Sequence, residues 1–180
     1  LYAVTGDILH KKGEEQEAFA AYDSCLQWKD DNVMALNNYA YYLSEKGVDL
    51  HKAEAMSYKT IKAEPNNGTY LDTYAWILFM EERYADAKTY IDQALKNRDS
   101  TADNSTVLEH AGDIYYMNGI ADESVDFWKK AYTGENQTEV LAWKIKNRQY
   151  ITEEELKKRN APKQKPAAKK KSVRKGKKNK

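Results

Sequence analysis

The stretch ERYADAKTYIDQAL, residues 82–95, has the spacing of an amphipathic helix, with Tyr84, Ala87, Ile91, Ala94 and Leu95 on one face. Two of these inward positions hold alanine, where leucine would bury more apolar surface. A small side chain has a geometric use there. Two helices approach to the short end of the interaxial range, about 8 Å, only when the residues at their crossing are small. Residues 71–78 supply the second helix of such a crossing, with Leu71, Tyr74, Ala75 and Leu78 at i, i+3, i+4 and i+7. The link around Glu81–Arg83 is short enough to force an antiparallel hairpin, so Ala75 and Ala87 meet where the pair crosses.

The same feature recurs along the chain. Small residues inside an aromatic or aliphatic helix stand at Gly6, Ala40, Ala75 and Gly112, spaced by 34, 35 and 37 residues. A second small residue follows each, at Ala18, Ala53, Ala87 and Ser124, after 12, 13, 12 and 12 residues. A fixed period of this length marks a repeat array of helical hairpins. Gly13, Gly47 and Gly119 sit at the hairpin turns, where a helix C-cap takes positive φ. Asp30-Asp31-Asn32, Pro65-Asn66-Asn67 and Asp99-Ser100 separate the units.

On these residues the chain resembles the tetratricopeptide repeat family, in its bacterial form. The first unit offers Tyr2, Thr5-Gly6, Leu9, Ala18 and Tyr22, and the second Leu36, Tyr39-Ala40, Leu43, Ala53 and Pro65. The third offers Leu71, Tyr74-Ala75, Leu78, Ala87 and Ile91, and the fourth Leu108, Ala111-Gly112, Tyr115, Ser124 and Trp128. The units fall at about 1–32, 33–67, 68–101 and 105–135. The second departs from the pattern with Ser57 in its aromatic slot and one extra residue in its turn. The resemblance implies an all-α fold: a right-handed α-solenoid of about four helix-turn-helix repeats with a C-terminal capping helix and a disordered basic tail. It further implies a non-enzymatic protein-interaction scaffold.

Residues 136–159 read as the cap that a stacked array needs over its terminal apolar face. Asn136 with Glu139 reads as the start of a helix packed on Trp128 and Tyr132, and Thr152 with Glu155 as a capping box for a second. The helix at the first residue has no polar cap before it, which reads as further repeats upstream.

Net charge is +1, but the two ends of the chain differ. The body through residue 156 carries −12, whereas residues 157–180 hold 13 of the 29 Lys and Arg. The mean hydropathy is −0.90, no apolar run approaches the length of a bilayer span, and the single Cys25 rules out an internal disulfide. His10, His51 and His110 lie in different units without a metal-ligand spacing, and no phosphate-binding or nucleophile motif occurs. No cofactor, metal or catalytic residue is therefore expected. Three Asn-x-Ser/Thr triplets, at Asn67, Asn104 and Asn136, fall between helices and read as caps. Bacterial members of the family occur in the cytoplasm and at the envelope, so the compartment stays open.

In the family the first helices of successive units line a concave groove. Carried over by register, that groove takes Asp7, Asn37, Tyr41, Asp72, Trp76, Phe79, Glu109, Asp113 and Tyr116, with Ala3, His10 and Ser44 beside them. An acidic and aromatic surface of this kind suits a basic or apolar-basic peptide. The tail, residues 160–180, with Lys169, Lys170, Lys171, Arg174, Lys175, Lys177 and Lys178, has too few apolar side chains to order itself. It reads either as a solubilising segment or as one attracted weakly to nucleic acid, to an anionic surface, or to the chain's own acidic body.

Overall fold

The computed structural model describes residues 2–161, and the basic tail from residue 162 onward lies outside the described residues. Ten α-helices follow one another, with no strand among the described residues. They pair in order: α1 (Tyr2–Lys11) with α2 (Glu15–Trp28), α3 (Val33–Lys46) with α4 (Leu50–Ala63), α5 (Gly68–Met80) with α6 (Tyr84–Asn97), and α7 (Ser105–Met117) with α8 (Ala121–Ala131). Each second helix packs on the next hairpin, and the first helices α1, α3, α5 and α7 also touch in sequence, which makes them one continuous wall.

Turn chemistry explains where the hairpins fold. Gly13, Gly47 and Gly119 take φ of 78°, 64° and 78°, and in the third hairpin Glu82 takes the same left-handed region at 60°. Between hairpins, Asn32 accepts from Ala35 N at 3.0 Å, and Asn67 from Thr69 N at 3.1 Å and Tyr70 N at 3.3 Å. Asn104 is not a cap: its amide donates to the carbonyls of Asp99 and Ala102, bracing the connector.

Where the helices of a hairpin cross, Ala18, Ala40, Ala53, Ala75, Ala87 and Ser124 are completely buried. The choice between glycine and alanine on the first helix follows the partner on the second. A Cβ at Gly6 would lie 2.7–2.9 Å from the Tyr22 ring, and one at Gly112 would overlap the Trp128 indole. The corresponding partners of Ala40 and Ala75 are Ser57 and Ile91, which leave room for a methyl group. The aromatic slot that the second unit lacks is thus matched by its larger anchor.

Two residues after the anchors of the third and fourth hairpins, Ile77 and Ile114 are fully buried in clusters built with the preceding hairpin. Ile8, in the same register on α1, is 50% exposed beside Val4 and Tyr2. Cys25 is buried, as a small apolar residue would be, and its sulfur accepts from Asn32 Nδ2.

After α8 the chain makes a 3-10 turn at Gly134–Asn136, then α9 (Glu139–Asn147) and α10 (Glu153–Asn160). The expected Asn136 cap is replaced by Thr138, which accepts from Leu141 N at 3.2 Å, because Asn136 turns inward to Glu109 and the Ala131 carbonyl. Leu141 buries itself against Val125, Trp128 and Ala131, with Ile145 and Tyr150 around it, while Tyr132 stays exposed. The Thr152–Glu155 capping box forms as read, and Leu156 anchors α10.

Candidate binding face

The position after each anchor is Asp7, Tyr41, Trp76 and Asp113, and these four divide into two kinds. Asp7 accepts from the Tyr22 hydroxyl and from Asn38 Nδ2, so it is spent within the first two hairpins. Asp113, only 3% exposed, accepts from Trp128 Nε1 at 2.8 Å. In both cases the aromatic ring that forces glycine at the anchor finds its polar partner on the next residue. A Gly-Asp pair followed by Tyr or Trp fifteen residues beyond the Asp is the sequence signal for this arrangement. Tyr41 and Trp76, after the alanine anchors, instead line a cavity shared with α7 and the C-terminal helices.

The acidic end is filled by the chain itself. Lys144 of α9 places its ammonium 2.8 Å from both carboxylate oxygens of Asp113 and 3.1 Å from Glu109, over the rings of Tyr150 at 5.3 Å and Trp128 at 6.0 Å. Burial opposes the charged ammonium, but the two carboxylates together outweigh it and hold the Lys144 pKa above the ordinary lysine range. Burial likewise pushes the Asp113 carboxyl upward, against the pull of Lys144. Lys144 stands three residues after Leu141 and one before Ile145, on the face that packs inward; a lysine in that register was the available clue.

Between Glu109 and Asp113 on α7, His110 is buried and reaches back one repeat to α5, sharing a hydrogen bond of 2.9 Å between Nδ1 and Asp72 Oδ1. Its ring stacks on Trp76 with centroids 4.1 Å apart, and Trp76 stacks on Phe79 at 4.8 Å. Burial works against the charged imidazole, yet Asp72, Glu45 and Asp113 together raise its pKa above the ordinary value. Phe79 belongs to the core of the third hairpin and meets Tyr150 edge-on at 5.7 Å. Trp76 and Phe79 are therefore packing residues first, with Trp76 half-buried and still lining the cavity described next. Tyr116 is half-buried against Trp128. Of the flanking positions, Ala3 and Ser44 are buried, and His10 stacks on Tyr42 at 3.5 Å. Asn37 is 5% exposed, and its Oδ1 meets no hydrogen-bond partner among the described residues.

Between this wall and α9–α10 lies a cavity of about 980 Å³. Tyr41, Trp76, Met80, Tyr150, Ile151 and Leu156 give it an apolar lining. Five carboxylates, Glu45, Glu109, Asp113, Glu139 and Glu153, face it against the two ammonium groups of Lys144 and Lys157. Lys157 is already paired with Glu153, and no ion pair reaches Glu45 or Glu139 among the described residues. Burial raises the Tyr41 hydroxyl pKa, with Glu45, Asp72 and Glu109 adding to it, so Tyr41 sits in a negative field. Glu45, one turn beyond Tyr41, was not singled out from the sequence.

A second, polar pocket of about 570 Å³ opens on the other side of Tyr41, lined by Asn37, Asn38, Asp72 and the connector around Asp99–Asn104. The one group of three metal-capable side chains among the described residues, His51, Glu54 and Glu81, has its donor atoms within 4.8 Å of one another. Arg83 already bridges the two glutamates, at 2.7 and 3.1 Å, and acts as their cation.

No family model matches the chain. A curated TPR repeat-containing protein of Pseudomonas aeruginosa is 35% identical over 66 residues, which is 37% of this chain and 11% of that protein. Among solved structures, a tetratricopeptide repeat protein from Parabacteroides merdae matches 82% of this chain and 56% of its own at 20% identity, with a TM-score of 0.63. The Pseudomonas aeruginosa protein PilF matches at 16% identity and a TM-score of 0.68 over 82% of this chain and 65% of its own. YrrB, described as a TPR protein with an unusual peptide-binding site, matches at 17% and 0.57 over 82% and 74%. The chain thus spans well under two thirds of the curated relative's length, and at these identities the structural likeness is one of fold.

Proposed function

We propose that this chain, a tetratricopeptide repeat protein by fold, is a non-enzymatic scaffold that holds a basic or apolar-basic polypeptide segment on its concave side, in the cavity bounded by α3, α5, α7 and α9–α10. The observation that carries this is Lys144. A lysine ammonium of the chain's own already sits between two carboxylates of the first-helix wall and over two aromatic rings. One repeat away the same kind of surface, Tyr41 and Trp76 with Glu45, has no lysine or arginine seated on it among the described residues, and its one imidazole, His110, is already held by Asp72. The segment's apolar side chains meet Tyr41, Met80 and Leu156, and its cations meet Glu45 and Glu139. Tyr41, Trp76, Glu45 and Glu139 are the contact residues in this proposal, with Asp72 and His110 fixing the Trp76 ring. Asp7, Asp113 and Phe79 act through packing. YrrB, with its peptide-binding site, is a precedent for the class of ligand.

The test uses immobilised full chain and three soluble synthetic peptides of equal length, Lys/Leu-rich, Glu/Leu-rich and Ser/Leu-rich. Retention of the first alone, weakened about tenfold by Glu45→Gln with Glu139→Gln, is the expected result. Equal retention of all three, or of none, overturns the proposal.

The exposed face of α1 belongs to the same scaffold. Ile8 stands where Ile77 and Ile114 are covered by a preceding hairpin, and with Tyr2 and Val4 it forms an exposed apolar stripe.

A further inference from the structure

The cavity has a cationic candidate ligand within the same chain. Ala161, the last described residue, lines it together with Lys157 and Asn160. The 19 residues that follow contain ten Lys and Arg and no acidic residue. The cavity wall is mainly acidic, with Glu45 and Glu139 in no ion pair among the described residues and Glu109 and Asp113 sharing a single ammonium. A chain of this length spans up to about 60 Å when extended, so reach imposes no limit. A tethered segment also meets its site at an effective concentration in the millimolar range, which makes weak single contacts count.

We propose that the Lys-rich segment of residues 162–180 is an intramolecular ligand of the cavity, lying against Glu45 and Glu139 beside Tyr41 and Trp76 and competing there with a partner's basic segment. The inference rests on the binding-face proposal above. Lys144 is its precedent, since another lysine from the C-terminal part of the chain already occupies the neighbouring acidic pair. The contact is electrostatic and it is lost at high salt. A partner gains access either by carrying more charge per residue or by drawing the segment to another anionic surface.

The experiment needs no known partner. The full chain carries a nitroxide on Ser172→Cys, in a Cys25→Ala background that leaves one thiol. Its four tryptophans give separate indole N–H resonances in an NMR spectrum. At about 50 mM salt the Trp76 resonance should lose intensity to the label, while that of Trp28, 85% exposed and away from the cavity, keeps its own. At about 500 mM salt the Trp76 signal should recover. An undiminished Trp76 signal at low salt, or equal loss at Trp28, overturns the inference.

A second arm separates this failure from failure of the binding face. The Lys/Leu-rich peptide is titrated into the full chain and into a variant with Lys169, Lys170, Lys171, Arg174 and Lys175 replaced by Gln. Peptide that shifts Trp76 about tenfold more tightly in the variant supports competition. Equal affinity in both chains removes the intramolecular ligand and leaves the binding face standing. No Trp76 shift in either chain removes the binding face itself.

Discussion

The indole of Trp128 occupies the space that a Cβ on residue 112 would need, and its Nε1 donates at 2.8 Å to Asp113, the next residue along the chain. Glycine is therefore required at 112 by the size of a partner 16 residues away, not by backbone conformation. Gly112→Ala is expected to cost about 1–3 kcal/mol, since Trp128 is fully buried and cannot swing clear. The third hairpin pairs Ala75 with Ile91, so Trp128→Ile should tolerate the new methyl group. In a double-mutant cycle by urea denaturation, the pair should be less destabilised than the sum of the singles by about 1 kcal/mol or more. Strict additivity would separate the two positions.

Lys144→Met leaves the buried Asp113 beside the half-buried Glu109 without their cation. A loss of about 3–5 kcal/mol is expected, as for a buried pair with one partner removed. Adding Asp113→Asn should return part of it. Equilibrium unfolding of the three chains reads this directly, and a Lys144→Met chain as stable as wild type would place the ammonium elsewhere.

His110 makes stability depend on pH with a definite sign. Its folded pKa is raised above the ordinary value of 6.5 by Asp72, Glu45 and Asp113 in spite of burial. A raised histidine stabilises the fold fully below about 6.5, and the contribution disappears as pH climbs through the folded value. The stability difference between wild type and His110→Gln should thus shrink from pH 5.5 to pH 8.5 in parallel urea series. A difference that grows with pH would mean a histidine held neutral.

Ile8 and Ile77 share a register but not a burial. Ile8→Ala should change stability by no more than about 0.5 kcal/mol, whereas Ile77→Ala should cost about 2–5 kcal/mol. Thermal or chemical denaturation of the two variants decides it. A large loss at Ile8 would mean that the stripe on α1 is already covered by another copy in solution.

The architecture was legible from the sequence because a hairpin crossing leaves a mark that composition cannot mimic: small residues at a fixed period, with turn glycines between them. The concave face was less legible. Register placed Asp7 and Asp113 on the groove side, but which carboxylates stay free depends on donors that come from distant helices. Tyr22 and Trp128 arrive from the second helix of the same hairpin, and Lys144 from beyond the last repeat. His110 has no metal-ligand spacing in the sequence, and its partner, Asp72, lies 38 residues earlier on a neighbouring first helix. Pairings of this kind are set by stacking geometry, which local periodicity does not encode.

Gly47 and Gly119 close their hairpins with residues for which left-handed backbone is ordinary, but the third hairpin turns on Glu82 at φ 60°. The hairpin that brings Trp76 and Met80 to the cavity therefore holds a small amount of conformational strain in its tightest turn. Exchange of that glutamate for glycine relieves it at the turn while loosening the unfolded chain, so the two effects oppose each other. Whichever prevails would be felt where α5 is joined to α6, and from there along the wall to Tyr41.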